Sequence, residues 1–423
     1  MLEGLFSILG TTFSLILQWW WVPAPIVLFI VFNSLWLRYR RIEYMRNIPW
    51  VLLRISVPLD VVKTPLAMEQ VFANLHSIQV EGTWYEQNIG GKVQEWFSLE
   101  LISISGDIYF FIRTPQKFRN LVESAIYAQY PEAEIAEYED YVSNVPAVLP
   151  NAETDIFGSE FKLMEADGYP IRTYEHFIFD TEEGAGNVDP LAHIVEALSR
   201  IRHGEQVWLQ IEILPVDKSW KDSAEELIEE ILGRKEKTKE GPGVLGILTE
   251  EVGAYLSNAP MAPFEGVDFG AAAQEGKKEE RVERKIPAFH ETERVKEISR
   301  KLSKVAFKTA IRGLYIAPKE IFDIPTYFSV VGGFRQFTAQ DLNGLRPAEI
   351  TGGKWPFKKA KTRVAKKQHL MRYRIRLSPS KGFILNIEEL ASIFHFPGKI
   401  VTSPALPRVE TKKGEPPTGL PVL

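Results

Sequence analysis

The sequence predicts an α+β protein, in which an N-terminal transmembrane helix precedes two β-α-β-β-α-β units, the second of them split by an insertion. Three observations lead to this prediction. The chain opens with a long uncharged run, two later regions show strand and helix patterns in the same order, and a stretch rich in Gly, Pro, Glu and Lys interrupts the second region. Its 423 residues allow two or three domains, and the absence of cysteine excludes disulfides and thiolate metal sites.

The uncharged run extends from Gly4 to Leu37. As one helix it would be roughly 50 Å long, against about 30 Å of bilayer hydrocarbon. Pro23 and Pro25 interrupt it, because proline removes a backbone donor and crowds the preceding turn. We therefore expect an interfacial or re-entrant segment over Leu5–Leu17 and a crossing helix over about Trp20–Leu37.

The residues at the two ends of this helix predict its orientation. Tryptophan suits the membrane interface, and an excess of Lys and Arg marks the cytoplasmic side. Residues 1–46 are thus expected to form a single-pass anchor in the cell (inner or plasma) membrane, with the bulk of the chain in the cytoplasm. The expected interface residues are Trp19, Trp20, Trp21, Arg38, Arg40 and Arg41.

Residues 47–150 are predicted to form the first unit, of the ferredoxin-like type. Its helices are expected to start at two Thr-Pro pairs, since a hydroxyl at the N-cap and a proline in the first turn both favour a helix start. The predicted order is strand Trp50–Val57, a helix from Thr64, strand Trp96–Ser105, a returning strand through Ile112, a helix from Thr114 and strand Ala133–Tyr141.

Residues 151–380 are predicted to form a second ferredoxin-like unit with a flexible insertion over residues 233–287. The expected order is strand Arg172–Phe179, a helix from Asp189, strand Val207–Ile213, helix Ser223–Leu232, the insertion, helix Glu291–Lys304, strand Phe307–Ala317, helix Ile321–Thr338 and a closing strand near Met371–Leu377.

No catalytic motif occurs in the sequence. Three Gly-Lys loops lack the spacing of a phosphate loop, the seven histidines are scattered, and no serine or aspartate lies in a nucleophile motif. We therefore expect a non-enzymatic protein without a cofactor or metal.

Ten cations and no acid lie between Lys354 and Arg376, interleaved with Trp355, Phe357 and Tyr373. Such a run can hold nucleic acid through its phosphates, with aromatic rings for stacking. It can equally meet anionic lipid or an acidic partner, or form a solvated loop. The candidate binding residues are Lys354, Lys358, Lys359, Lys361, Arg363, Lys366, Lys367, Arg372 and Arg374.

The last region, residues 381–423, combines a short helix over Asn386–Pro397 with an extended, proline-rich tail. Such a tail is partly preordered, which lowers the entropy lost when it binds a partner. We expect it to dock a partner protein through Ile393, Phe394, Phe396 and Arg408.

This tail carries a resemblance. Its Glu388-Glu389-Leu390-Ala391 start, its His395-Phe396-Pro397 stop and its Pro416-Pro417 to Leu420-Pro421 end are similar to the joint before the motor in conjugation and type IV secretion-like DNA-pumping ATPases. The membrane segment, the Thr64–Gln70 helix start and the Tyr109–Tyr130 region resemble the same pre-motor part, as a stand-alone chain of the candidate-phylum bacterial type.

The resemblance implies a non-catalytic, membrane-anchored subunit of a DNA transfer machine. Its partner would be a separately encoded motor ATPase, docked at the cytoplasmic membrane face, and the subunit could assemble as a homo-oligomeric ring. Because the chain ends where the motor and its phosphate loop would begin, ATP hydrolysis is not implied. The alternative is a membrane-tethered nucleic-acid-binding module that uses the basic run over residues 354–376.

Overall fold

The computed structural model describes residues 21, 23–58, 63–80, 82–179, 186–233, 289–348, 351 and 358–398. The chain consists of two compact units, each defined by contacts among its own residues. The first is made of residues 1–49 and 80–94, and the second of residues 50–79 and 95–423. Apart from Gly233, the predicted insertion lies outside the described residues.

The described residues form helices and strands in both units. In chain order they are α1 (Pro23–Arg46), β1 (Trp50–Ser56), α2 (Pro65–Leu75), α3 (Trp84–Asn88), β2 (Phe97–Ile104), β3 (Asp107–Pro115), α4 (Arg119–Gln129), β4 (Glu134–Glu137), β5 (Thr154–Leu163), β6 (Ile178–Phe179), β7 (Gly186–Asn187), α5 (Ala192–Ser199), β8 (Gln206–Pro215), α6 (Trp220–Ile231), α7 (Phe289–Leu302), β9 (Ala306–Pro318), α8 (Ile324–Gly332), β10 (Leu345–Ala348), α9 (Lys358–Arg374), β11 (Phe383–Asn386) and α10 (Ile387–Ile393).

The first unit contains α1 and α3, and its structure differs from the one predicted for the N-terminal region. The predicted transmembrane helix is wrong, because no helix in the described ranges is long and apolar enough to cross a membrane. Helix α1 does not end at Leu37 but continues through the arginine cluster to Arg46, so charged side chains occupy its last turns. The single-pass membrane location that was predicted from this helix is therefore wrong as well.

The second unit is organised around one nine-stranded sheet with the order β10-β5-β9-β8-β2-β3-β1-β4, while β11 pairs with β9. Numbered within each half, both halves show the order 4-1-3-2 of the split β-α-β motif. The halves meet edge to edge at β2 and β8, which are antiparallel with Phe97 opposite Ile213 and Leu101 opposite Leu209. They therefore share one continuous sheet.

Local signals determine the first half of this sheet. Thr64 takes an extended N-cap conformation before Pro65, which begins α2. Ser105 and Gly106 both have positive φ, of 55° and 98°, and make the tight turn between β2 and β3.

The second half differs from the prediction at its first and last strands. Its first strand is β5, whereas residues 174–177 form a short 3-10 helix within the predicted strand Arg172–Phe179. Its closing strand is β10, and the predicted closing strand near Met371–Leu377 is instead the end of helix α9 and the turn after it.

The two faces of the sheet have different coverings. One face packs against α2, α4, α5, α8 and α10 and forms the main hydrophobic core. The opposite face carries a smaller apolar cluster, which includes Trp208, Leu314 and the α9 residues Leu370 and Tyr373. This second face also buries charged side chains, and it supports the basic helix.

Candidate nucleic-acid interface

Most of the basic run forms helix α9. The segment contains no glycine or proline, and its Ala, Lys, Arg and Gln residues favour helix. At the end of the helix, the amide of Arg376 donates to Tyr373 O at 3.0 Å and that of Leu377 to Arg372 O at 3.2 Å. This is a Schellman-type end, in which Arg376 has φ 47° at the position usually taken by glycine.

The two halves of α9 lie in different environments. In its C-terminal half, His369, Leu370 and Tyr373 are buried against the sheet. In its N-terminal half no side chain is buried, and most are exposed, so this half presents its surface to solvent.

Four cations of the basic run serve the fold. Lys366 Nζ lies 2.6 Å from Asp155 Oδ1, and Arg372 Nη1 lies 3.5 Å from Glu160 Oε1. Arg374 donates to the carbonyl oxygens of residues 145, 146 and 147 at 2.7 to 3.1 Å. Arg376 is buried and donates to the buried carboxylate of Glu100 and to the more exposed carboxylate of Asp140. These contacts fix the C-terminal half of the helix to the protein body.

Five further cations of α9 are exposed and form no ion pair with any residue that the structure describes. With 3.6 residues per turn, two lie on one flank of the helix and two on the opposite flank, and Val364, 53% exposed, lies between the flanks. The five, called the exposed cations below, are Lys358 and Lys361 on the first flank, Arg363 and Lys367 on the second, and Lys359.

The exposed cations oppose the helix that carries them. Three lie in its first turn, where the helix dipole is positive and no acid compensates. Lys359 and Arg363, and Arg363 and Lys367, are like charges four residues apart, and each such pair destabilises a helix by about 0.2–0.5 kcal/mol. A bound anion would remove both penalties.

Aromatic stacking does not contribute to this surface within the described part of the run. Tyr373 is fully buried, and its hydroxyl shares a 2.8 Å hydrogen bond with that of Tyr141. The predicted contributors Lys354, Trp355 and Phe357 lie outside the described residues.

A row of polar side chains crosses the sheet beneath the C-terminal half of α9. Glu100, Gln210, Arg312 and Glu160 are successive cross-strand partners on β2, β8, β9 and β5. Arg312 donates to Glu160 at 3.0 Å through Nε and to Gln210 at 3.2 Å through Nη1. The row is therefore internally hydrogen-bonded.

Arg376 joins α9 to this row. Its guanidinium donates to both carboxylate oxygens of Glu100, at 2.7 and 3.2 Å, and to both of Asp140, at 2.7 and 2.9 Å. Burial by itself raises the pKa of Glu100, but the charge and hydrogen bonds of Arg376 outweigh it and hold this pKa below its usual range. Arg376 thus stabilises the charged form of the buried Glu100 carboxylate.

Glu212 lies on β8 beside this row. Neither of its carboxylate oxygens has a hydrogen-bond partner among the residues that the structure describes, and Arg312 Nη1 is 3.9 Å away, beyond hydrogen-bonding distance. Burial raises the pKa of Glu212 to about 8, in spite of the opposing charge of Arg312. Burial therefore favours the protonated form of Glu212 near neutral pH.

The remaining candidate residues lie apart from α9. Trp19, Trp20 and Arg408 are outside the described residues. Trp21 is exposed, Arg38 and Arg41 lie on α1, and Arg40 pairs with Glu43 at 2.7 Å.

The expected docking residues of the tail lie in the main core. Ile393, Phe394 and Phe396 are at most 4% exposed. The ring centroid of Phe394 is 5.9 Å from that of Phe110, and the centroid of Phe396 is 5.2 Å from that of Tyr130. These three side chains stabilise the fold and are not available as anchors for a partner.

Sequence reasoning missed the polar contacts that hold the tail and α9. His395 is buried, with Nδ1 2.8 Å from Ala391 O and Nε2 3.0 Å from Asp189 Oδ1. The sequence did contain a signal for these buried carboxyl groups, since Glu100 and Glu212 each lie within a strand of mainly apolar side chains. No group of His, Cys, Asp and Glu within the described ranges could hold a metal ion.

The fold and the surface together define a class: an α+β protein of two fused split β-α-β halves that presents a basic helix. The chain belongs to the family described as a domain of unknown function, DUF8128, which matches residues 47–406. The match includes every strand of the nine-stranded sheet and the whole of α9. No curated protein matches the chain.

Proposed function

We propose that this chain is a non-catalytic binding subunit that holds the backbone of duplex nucleic acid against the N-terminal half of α9. The observation that supports this proposal most directly is the set of five exposed cations without an ion-pair partner among the described residues. Phosphates would replace the missing partners and relieve the repulsion within the helix.

The arrangement of the cations favours a duplex over a single strand. Phosphate ridges border both sides of the major groove, which is about 12 Å wide and admits an α-helix. Lys358 and Lys361 on one flank and Arg363 and Lys367 on the other would each face one ridge. Val364 would then face the base edges, where an apolar side chain can contact a thymine methyl group.

This mode of binding reads the backbone more than the sequence. Single-strand recognition rests on aromatic stacking, and Tyr373, the aromatic residue of the basic run that the structure describes, is buried. We therefore expect modest sequence preference and strong salt dependence.

The resemblance supplies the wider setting of the proposal. A subunit that contacts DNA and accompanies a separately encoded motor ATPase would suit a conjugation or type IV secretion-like machine. Motor docking would then involve surfaces other than the buried Ile393, Phe394 and Phe396.

Fluorescence anisotropy with a labelled duplex and a labelled single strand of equal length tests the proposal. If all five cations contact phosphates, the duplex affinity falls about 500-fold between about 50 and 200 mM salt, because the logarithmic slope is about −4.5. Changing the five exposed cations to glutamine should abolish most of the binding and flatten this slope.

A matched variant controls for net charge. Five exposed cations elsewhere are changed to glutamine in it, so that the total charge is the same: Lys63, Lys218, Arg335, Arg346 and Lys381. Equal losses in the two variants would show that binding follows net charge, and would contradict an interface at α9. Tighter binding of the single strand would contradict the groove geometry.

A further inference from the structure

Helix α6 carries a surface opposite in sign to that of α9. Four of its acids are exposed and recur at the spacing i, i+3, i+4 and i+7, so they form one ridge along the helix. Ala224, on the opposite side, is buried, and Leu227 and Ala224 pack close to Gly168. The members of this acidic ridge are Asp222, Glu225, Glu226 and Glu229.

The helix that carries the ridge holds too few cations to balance the four acids of the ridge. Lys221 is the one cation in α6, and Asp222, Glu225 and Glu229 form no ion pair with other residues that the structure describes. Like charges at these spacings repel one another, as they do in α9. Within the described residues, α9 thus has exposed cations without acidic partners, and α6 has exposed acids without basic partners.

The exposed cations of α9 do not pair with the ridge of their own chain within the described ranges. The two surfaces also match in length: Asp222 to Glu229 spans about 10 Å of helix and Lys358 to Lys367 about 14 Å. The ridge of one copy can thus lie along one flank of α9 in another copy.

We propose that the acidic ridge of α6 docks on the exposed cations of α9 in a second copy of this chain. The contact is heterologous, because it joins different surfaces, and it can therefore propagate from copy to copy or close into a ring. Two helix segments of this length bury much less area than a stable dimer needs, so the association is weak, reversible and salt-sensitive. A second consequence, which rests on the proposed function, is that docking and nucleic acid compete for α9.

Charge reversal on each helix gives a sharp test by sedimentation velocity of the full-length chain. Variant one carries K358E, K361E and K367E on α9, and variant two carries D222K, E225K and E229K on α6. Wild-type protein should associate at low salt and dissociate as salt rises. Each variant alone should stay monomeric, because its two helices then have the same sign.

An equimolar mixture of the two variants should associate again, since every α9 then meets an α6 of opposite sign. All substitutions are at exposed positions, and circular dichroism checks that each variant is folded. A wild type that stays monomeric at low salt, or a mixture that fails to associate, would overturn the proposal.

Competition separates this inference from the proposed function. Variant one keeps its acidic ridge but has lost three of the five exposed cations, so an excess of it should displace labelled duplex from wild-type protein. Variant one with the further changes D222N, E225Q and E229Q should not displace it. Self-association without any duplex binding would leave the docking intact and refute the nucleic-acid function alone.

Discussion

Replacing Arg376 with glutamine should be one of the most destabilising single changes in the protein. Arg376 is 1% exposed and makes four hydrogen bonds to Glu100 and Asp140, of which the shortest are 2.7 Å. Glu100 is 0% exposed, so the substitution leaves a carboxylate in the interior without its cation. Breaking a buried pair in this way costs about 3–5 kcal/mol of folding free energy.

The backbone at Arg376 provides a second variant. Glycine fits φ 47° better than arginine does, and relief of a left-handed conformation is worth about 1 kcal/mol. Arg376→Gly should therefore lose slightly less stability than Arg376→Gln. Arg374→Gln is the control, because Arg374 donates to neutral carbonyl oxygens and its loss should cost about 1 kcal/mol.

Urea denaturation followed by tryptophan fluorescence measures these losses, and a double-mutant cycle with Glu100→Gln isolates the pair. Because the pKa of Glu100 is lowered in the folded state, the stability from the pair is present above the ordinary pKa of 4.5 and is lost as the pH falls through the folded value. A loss below about 1 kcal/mol for Arg376→Gln, or additive effects in the cycle, would refute the reasoning.

Three further predictions concern other buried positions. Glu212→Gln should flatten the pH dependence of stability. Because the pKa of Glu212 is raised from 4.5 to about 8 in the folded state, its contribution to the free energy of unfolding is fully present below pH 4.5 and falls by up to about 5 kcal/mol as the pH rises to 8. Urea denaturation at several pH values across this range measures the difference. Phe394→Ala and Phe396→Ala should each lower the free energy of unfolding by about 3–5 kcal/mol in urea titrations, and unchanged stability would contradict their place in the core. Gly313→Ala should lower the melting temperature, because the new Cβ would lie 2.5 Å from Tyr327 Oη. Ala310→Gly on the same strand is the control for the change in backbone entropy.

Most of the first half of the sheet could be predicted, because its signals are local. The exception is Thr114-Pro115, which was expected to start a helix but instead ends β3, so that α4 begins only at Arg119. Thr64-Pro65 begins α2 at the expected residue, and Ser105-Gly106 makes the turn between β2 and β3. Each signal depends on a few neighbouring residues, so the sequence contains it in full.

The second half could not be predicted as well, because its strands depend on distant partners. Strand β5 contains Asp155 and Glu160, which give it the polar composition of a loop. Their partners are Lys366, Arg372 and Arg312, all more than a hundred residues further along the chain. An ion pair of this kind makes a polar strand stable, and nothing in the local sequence indicates it.

The end of α9 was predicted as a strand for a related reason. Residues 371–377 alternate apolar and basic side chains, the pattern of a half-buried strand. The helix forms instead because Leu370 and Tyr373 pack on Trp208 and Leu314, contacts that require helical spacing. Met371 and Ile375, two of the four apolar residues in the predicted strand, are 37% and 48% exposed.

The two halves of α9 explain why its cations divide as they do. A helix with repelling charges in its first turns needs support elsewhere, and the C-terminal half supplies it through Leu370, Tyr373 and the buried Arg376. Of the nine cations of the run that the structure describes, four are used for attachment and five are left for solvent or an anion. The sequence shows one uniform basic run, and only the contacts of the folded chain separate the residues that hold the helix from those that can bind a ligand.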